Sequence, residues 1–239
     1  MSKTLLITGA NRGIGLEMTR QAAMNGDHVI ACARNIKEAS NLVTLAKQNK
    51  TITLIGLDVT AEDSMKQIAT DIKSKIDILV CNAGLLNGYG GLEDEAHDSQ
   101  AIEAVLMTNI AGVFFTARSF LPHLAEKNNK SEGQPATHGK IAVISSIMGS
   151  QERAGGNAPI YRASKAAATN LARCLAIELA PRGIAVGAYH PGWVRTDMGG
   201  PEANVSPQES AAGLLSRFDQ LNIKNTGIYE SYSGEKLPF

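Results

Sequence analysis

The sequence lacks several features that would point directly to a class of function. Its three cysteines, Cys32, Cys81 and Cys174, are far apart and form no Cys-x-x-Cys pair, which argues against a disulfide framework and a zinc site. The five histidines show no metal-ligand spacing either. Acidic and basic residues are equal in number, at 23 each, so no overall field attracts nucleic acid or anionic lipid. A charged ligand must therefore be bound by local placement of charge.

Long apolar runs and repeats are also missing. No uninterrupted stretch of about 18 apolar residues exists, and the first apolar segment is too short for the core of a signal peptide. The chain shows no internal repeat of solenoid period and no low-complexity tail. Hydrophobic residues make up 44% and charged residues 19%, a mixture that can bury a core. We therefore expect a cytoplasmic protein of one domain over 1–239, with no metal, nucleic-acid or membrane partner.

What the sequence does contain is an alternation of short apolar runs with longer helical segments. The runs are continuous, as in strands buried on both faces of a parallel sheet. The predicted strands are 5–7, 28–32, 51–55, 76–80, 140–144 and 184–189, with 227–229 as a candidate seventh. The predicted helices are 14–25, 61–73, 100–126, 161–180 and about 207–221, and the polar stretch 128–139 is predicted to be an exposed loop. This order predicts an α/β fold with a doubly wound parallel sheet.

The first predicted strand ends in a glycine-rich turn, Thr8-Gly9-Ala10-Asn11-Arg12-Gly13-Ile14-Gly15, and a helix follows. The three glycines let the backbone turn tightly and approach a phosphate without a Cβ in the way. The helix that begins there presents unpaired N–H groups and the positive end of its dipole. Glycine-rich turns are common, but this one lies between strand and helix, the context that the motif requires. It therefore predicts a Rossmann-type dinucleotide site.

The second predicted strand indicates which dinucleotide binds. NAD-preferring domains carry an acidic residue near the end of this strand, whereas this segment reads Ala31-Cys32-Ala33-Arg34. Arg34 would attract a 2′-phosphate and hold it through two hydrogen bonds, and Arg12 could reach the same phosphate from the glycine turn. Either arginine could instead be a solvated surface charge. Their placement favours NADP(H) and leaves NAD(H) open.

An ordered series of motifs resembles the short-chain dehydrogenase/reductase family over nearly the whole chain. After the glycine turn come Asp58-Val59, Cys81-Asn82-Ala83-Gly84, Asn109, Ile144-Ser145-Ser146, Tyr161-x-x-x-Lys165, and Pro191-Gly192 with Val194 and Thr196. Each motif is common alone, and only their order and spacing are specific. Within the family, segment 190–200 and Ser233-Gly234 are most similar to the C-factor/sniffer-type carbonyl reductases.

The resemblance implies both a cofactor site and a catalytic set. The implied cofactor residues are Gly9, Asn11, Arg12, Gly13, Ile14, Gly15, Arg34, Asp58, Val59, Asn82, Ala83, Gly84, Tyr161, Lys165, Pro191, Gly192, Val194 and Thr196. The implied catalytic residues are Asn109, Ser146, Tyr161 and Lys165. Together they imply an NADP(H)-dependent oxidoreductase that reduces a carbonyl to an alcohol. The family also implies a homodimer or homotetramer, and the alanine-rich segment 163–168 could pack against a partner.

The chemistry of carbonyl reduction suits these residue types. The nicotinamide supplies a hydride, and the protein must supply a proton and stabilise the developing negative oxygen. A tyrosine has an ordinary pKa of about 10. Lys165 shares a helix face with Tyr161 and, with the positive charge of the oxidised nicotinamide, would lower that pKa. Ser146 would hydrogen-bond the carbonyl oxygen, and the resemblance implies that Asn109 holds a water that links Lys165 to solvent.

Two departures from the family pattern affect the details. Cys81 replaces the first Asn of the motif after the fourth strand, so one side-chain contact is missing. Ser146 precedes Tyr161 by 15 residues, slightly more than the usual spacing, and the extra residues fall in 149–158, where they would reshape a wall of the pocket. Ser146 is the favoured catalytic serine, with Ser145 as the alternative.

One function from another class stays open: a regulator of C-factor type that binds NADP(H) and signals with little or no turnover. The intact catalytic set argues for an enzyme, because a sensor has no need to keep it. Met148 and Trp193 are candidates either for lining the pocket or for packing. The stretch 199–206 before the last helix is short, which predicts an open site and a broad tolerance of small-molecule carbonyl substrates.

Overall fold

The computed structural model describes residues 2–124 and 137–239. Its strands are β1 (Thr4–Thr8), β2 (His28–Ala33), β3 (Ile52–Gly56), β4 (Ile78–Cys81), β5 (Gly139–Ile144), β6 (Ile184–His190) and β7 (Tyr229–Ser231). They form one sheet in the order β3-β2-β1-β4-β5-β6-β7, and all neighbouring strands are parallel. The predicted doubly wound sheet is thus confirmed. The seventh strand exists but begins two residues later than predicted, at Tyr229.

Helices cover both faces of the sheet. In the described ranges they are α1 (Gly13–Met24), α2 (Ser40–Gln48), α3 (Glu62–Asp71), α4 (Ser99–Leu106), α5 (Gly112–Leu124), α6 (Pro159–Leu179) and α7 (Pro207–Gln220). Helix α2 was not predicted from the sequence. This helix has nine residues and no side-chain cap at its start, and its buried side chains are only Leu42 and Leu45. So short an apolar stripe gives little periodic signal.

Two apolar clusters, one on each face, hold the helices on the sheet. Leu6, Phe120 and Leu175 belong to the cluster beneath α3, α5 and α6, whereas Ile7 and Phe218 belong to the cluster beneath α1, α2 and α7. Because successive strand residues point to opposite faces, each central strand contributes side chains to both clusters. This double burial is the physical reason for the continuous apolar runs in the sequence.

A π-helical turn at Met107–Ala111 joins α4 and α5 into one continuous helix. The predicted helix 100–126 is confirmed to Leu124, and its last two residues and most of the predicted loop 128–139 lie outside the described residues. By length and composition alone, Ser99–Leu124 is apolar enough to cross a membrane. A search for uninterrupted apolar runs misses it because polar residues interrupt the run. Its buried side, with Val113 and Phe120, packs against the sheet as a core helix does.

Candidate active site

A cleft of about 350 Å³ opens at the carboxyl ends of the strands, where the strand order reverses between β1 and β4. Ligands of doubly wound sheets bind at this switch point. All of the predicted cofactor residues line the cleft except Gly192 and Val194. Several lining residues were not predicted to be cofactor residues: Asn35, Glu38, Leu57, Thr60, Leu85, Thr108, Asp197 and Met198. Asp197 and Met198 belong to segment 190–200, which carried the resemblance, and no motif marks the other six.

The two exceptions have packing roles. Gly192 has a φ of +89°, and a Cβ on it would lie 2.9 Å from the Tyr232 ring and 3.0 Å from a Val205 methyl group. Val194 is buried and pairs with Val205 through a β-bridge. Neither residue lines the cleft with its side chain, so the expected contact of Gly192 and Val194 with the cofactor stays a prediction that involves their main chain. They shape the loop that carries Pro191 and Thr196 to the cleft.

The glycine turn is built for close approach. Gly9 and Gly13 have φ values of +65° and +53°, a region that L side chains rarely adopt. A Cβ on Gly15 would overlap the carbonyl oxygen of Gly9 and lie 2.6 Å from Asn82 Nδ2. That amide donates hydrogen bonds to the carbonyl oxygens of Thr8 (2.9 Å) and Gly9 (3.2 Å). Asn82 thus ties the end of β4 to the turn and keeps the start of α1 open toward the cleft.

Cys81, the departure from the family motif, does not face the cleft. Its side chain lies in the core cluster beneath α5 and α6, and burial raises the pKa of its thiol to about 12. The thiol is therefore a neutral packing group. Its presence in place of Asn changes the core and removes no group from the lining of the cleft.

Both predicted phosphate-binding arginines border the cleft and are exposed. Arg34 follows β2 beside Asn35 and Glu38. Arg12 lines the same cleft and pairs with Asp197, with 3.0 Å between Nη1 and Oδ2. Since both partners are largely solvated, this ion pair contributes little to stability. It leaves the Arg12 side chain at the mouth of the cleft.

Tyr161 and Lys165 lie side by side on the first turns of α6, and both are buried. Lys165 Nζ is 5.6 Å from the centroid of the Tyr161 ring and donates a hydrogen bond to the Ile144 carbonyl oxygen at 2.9 Å. Burial raises the pKa of Tyr161 to about 12, against a hydrogen bond with Ser146 that lowers it. Burial also lowers the pKa of Lys165 to about 8. In the protein itself, desolvation therefore dominates the pKa of Tyr161 and raises it, which is opposite to the lowering expected from Lys165.

The two serines after β5 have different surroundings. Ser145 Oγ hydrogen-bonds the Lys165 carbonyl oxygen (3.1 Å) and Thr169 Oγ1 (2.6 Å), so it fastens β5 to α6. Ser146 lies close enough to Tyr161 for its side chain to lower the pKa of the tyrosine hydroxyl, and Ser146 Oγ accepts the backbone N–H of Met148 at 3.2 Å. Although Ser145 borders the cleft, Ser146 is the serine beside the Tyr161 hydroxyl. This geometry favours Ser146 over Ser145.

Asn109 lies in the π-helical turn and is buried. Its Oδ1 accepts the N–H of Leu85 at 2.8 Å, and its Nδ2 donates to the Leu85 carbonyl oxygen and to Ser164 Oγ, both at 2.9 Å. The side chain therefore fastens the segment after β4 to α6. A Cβ on Gly84 would lie 3.4 Å from Lys165 Nζ and 3.5 Å from Asn109 Oδ1, so this glycine borders both groups.

Loops after β4 and β6 form a rim next to Tyr161. The Tyr89 hydroxyl donates to the Met198 carbonyl oxygen at 3.3 Å, and Trp193 Nε1 donates to the Gly199 carbonyl oxygen at 2.8 Å. Tyr89 and Trp193 are each 52% exposed. Sequence reasoning named Trp193 but missed Tyr89, because no motif marks the loop after β4.

Comparisons with known proteins agree with this geometry. The model of the family described as "short chain dehydrogenase" matches residues 3–205. The C-signal protein of Myxococcus xanthus is 31% identical over 177 residues, covering 73% of this chain and 100% of that protein. In three dimensions, the carbonyl reductase Sniffer of D. melanogaster has a TM-score of 0.90 and 30% identity over 100% of both chains. The NADPH-bound carbonyl reductase from chicken fatty liver has a TM-score of 0.88 and 30% identity, covering 100% of this chain and 99% of that chain.

Proposed function

The chain belongs to the short-chain dehydrogenase family and is an oxidoreductase, and from that premise we propose that it reduces aldehydes or ketones to alcohols with NADPH. The observation that carries the proposal is the cluster of Tyr161, Ser146 and Lys165 at the end of a dinucleotide cleft. Solved relatives that are described as carbonyl reductases support it.

The cleft residues fit a dinucleotide. Gly9, Gly13 and Gly15 make a cradle that a Cβ would fill, and the N-terminus of α1 offers N–H groups to a pyrophosphate. Arg34 and Arg12 supply positive charge at the mouth of the same cleft, where a 2′-phosphate would attract them. When bound, NADPH supplies the hydride for the carbonyl carbon.

The side chains around Tyr161 would handle the oxygen of the carbonyl. Ser146 holds the oxygen next to the Tyr161 hydroxyl, and Tyr161 donates the proton as the oxygen becomes negative. Lys165, when charged, stabilises a transient tyrosinate. Because the side chain of Asn109 is already hydrogen-bonded to Leu85 and Ser164, a relay water at this position would bind to its main chain.

The test is direct. Purified protein should oxidise NADPH in stoichiometric amounts with members of a panel of aldehydes, quinones and diketones, at a rate proportional to protein concentration. The similarity to the C-signal protein supports the alternative hypothesis of a regulator that binds NADPH without turnover. A regulator does not, however, need the buried Tyr161–Lys165 pair. Binding of NADPH without reduction of any panel member would favour the regulator.

Arg34→Ala tests the cofactor preference. Losing a charge-assisted hydrogen bond is worth about 1.5–3 kcal/mol, so the Kd for NADPH should rise about 10–100-fold. The Kd for NADH, which has no 2′-phosphate, should stay within about twofold. Fluorescence titration of both cofactors measures the ratio, with Arg182→Ala, an exposed arginine beyond α6, as the matched control. An unchanged ratio would remove the 2′-phosphate argument.

We also propose that the protein forms a homodimer through the outer face of α4, α5 and α6. This face carries an open apolar hollow of about 450 Å³. It is lined by Leu106, Met107, Ile110, Ala111, Phe114, Phe115 and Leu171. The Arg118 guanidinium lies 4.9 Å from the centroid of the Phe114 ring. Exposed apolar patches such as this hollow mark interaction sites.

Phe114→Asp should therefore convert the dimer to a monomer. A charge placed in the apolar centre of the face would be desolvated on association. Light scattering coupled to gel filtration measures the mass, and Met24→Asp, an exposed apolar residue on α1, is the control. A wild-type protein that is monomeric at micromolar concentration would contradict the proposal.

A further inference from the structure

The loop at 148–157 connects the serine and the tyrosine of the site. It follows Ser146 and leads into α6, where Tyr161 is in the first turn. Residues 151–157 are all exposed, so burial of apolar side chains cannot hold them in place. This is also the segment that contains the extra residues relative to the family spacing. Its conformation needs another explanation.

Hydrogen bonds supply that explanation, and five of them come from the side chain of Arg162, the residue after Tyr161. Its Nε donates to the Asn157 carbonyl oxygen at 2.8 Å, and its Nη2 donates to Asn157 Oδ1 at 2.9 Å. Its Nη1 donates to the carbonyl oxygens of Arg153 at 3.2 Å and Met148 at 3.4 Å. A Cβ on Gly155 would lie 2.5 Å from Nη2. The guanidinium group therefore fills the inside of the loop and is bonded to both of its ends.

The loop continues into the rim of the site. The N–H of Ala158 donates to the carbonyl oxygens of Tyr89 (3.2 Å) and Gly90 (2.9 Å), and Tyr89 in turn donates to Met198. A Cβ on Gly91 would lie 3.4 Å from the Gly156 carbonyl oxygen. The three loops are thus connected to one another, and Tyr89, which lies between the other two, is close enough to Tyr161 to affect the pKa of its hydroxyl.

Backbone strain lies at the same junction. Ala158 is fully buried and has a φ of +47°. For a residue other than glycine this conformation is uncommon and persists only where the surroundings hold it. Its carbonyl oxygen accepts the backbone N–H of Arg162 at 3.0 Å. The strained residue is thus held on one side by the loop after β4 and on the other by the first turn of α6.

We propose that Arg162 is a positioning residue that sets substrate specificity, by holding loop 148–157 as the outer wall of the substrate site beside Tyr161. This inference rests on the proposed carbonyl reduction and specifies which carbonyl substrates the site accepts. A large planar substrate reaches the wall, whereas a small one contacts only the groups around Tyr161. Lysine cannot replace arginine here, because a single ammonium group cannot match the fixed fork of donors that this loop uses.

The kinetic test compares Arg162→Lys and Asn157→Ala with wild-type protein. In both variants the KM for phenanthrenequinone should rise about tenfold, while the KM for propanal and the Kd for NADPH should change less than about twofold. The kcat for both substrates should stay within about threefold, since the groups at the carbonyl oxygen are unchanged. Arg182→Ala is the control. An equal loss with both substrates would overturn the proposal.

A second readout does not depend on activity. Arg153 lies in the exposed part of the loop, so trypsin cleavage after it reports how often the loop opens. Arg162→Lys keeps a tryptic site at 162, and the cleavage patterns can be compared directly by mass spectrometry. Cleavage should be about tenfold faster in both variants, and a rate equal to that of the wild type would overturn the proposal. If the wild type reduces neither of these substrates nor any other member of the carbonyl panel, carbonyl reduction fails as the function, while the tryptic rates still decide whether Arg162 holds the loop.

Discussion

Replacing Tyr161 with phenylalanine should lower the kcat for carbonyl reduction by about 10²–10⁴-fold. The substitution removes the hydroxyl that would donate the proton and leaves the ring in its buried site on α6. Because burial holds the pKa of Tyr161 near 12, this hydroxyl is protonated at neutral pH and ready to donate. Phenylalanine has no proton to give, so the hydride step would leave an unprotonated alkoxide.

The Kd for NADPH should be nearly unchanged in Tyr161→Phe, because the glycine turn and Arg34 are untouched. Single-turnover kinetics with preloaded NADPH would separate this loss in the chemical step from a loss in binding. Tyr189→Phe is the matched control: Tyr189 is buried, packs edge-to-face against Phe218 and makes no hydroxyl hydrogen bond to any residue in the described ranges. If Tyr161→Phe kept kcat within about threefold, Tyr161 would not be the proton donor.

The sequence predicts the sheet and the cleft well because each depends on local patterns with a strong physical cause. A strand buried on both faces must be apolar throughout, and the run Leu5-Leu6-Ile7 shows this in three residues. A backbone that must approach a phosphate needs glycine, and Gly15 has no room for a Cβ. Once strand order is known, the carboxyl ends of β1 and β4 must meet at the switch point.

The parts that were missed depend on contacts between distant segments. The short helix α2 forms because Leu42 and Leu45 complete a cluster made by the sheet, and its own periodicity is weak. Tyr89 comes to the rim through a hydrogen bond to a loop 109 residues away. The sequence placed Asn109 in the site but could not show that its side chain is hydrogen-bonded to Leu85 and Ser164. The sequence also could not show that Val194 pairs with Val205, which buries its side chain and leaves only its main chain for the predicted cofactor contact.

The chemistry of the site also has a stability cost that the sequence does not reveal. Ordinary cores exclude unpaired charge, yet Lys165 is buried with one described hydrogen bond, to a neutral carbonyl group. Active sites commonly keep such destabilising groups because function requires them. Activity and stability should therefore respond in opposite directions when this lysine is removed.

Lys165→Met should lower kcat by about 10²–10³-fold, the usual cost of removing one electrostatic stabiliser from an active site. It should also raise the Kd for NADPH if the ammonium group contacts the nicotinamide ribose. Yet the same substitution should stabilise the fold at pH 7. Methionine fills similar space without the desolvated charge, whereas burial lowers the pKa of Lys165 from 10.5 to about 8.

The expected gain in the free energy of unfolding at pH 7 is about 1–2 kcal/mol, after allowing about 1 kcal/mol for the Ile144 carbonyl group that loses its hydrogen bond. The gain should disappear at higher pH. Between about pH 8 and 10.5 the unfolded lysine keeps its proton while the folded one loses it, so the stability of the wild type rises through this window relative to the variant. Urea unfolding at pH 7 and pH 10 measures both values, with Lys50→Met, an exposed lysine, as the control. A variant that is less stable than the wild type at pH 7 would mean that the charge of Lys165 is compensated in the fold, and that the site holds its lysine at no cost.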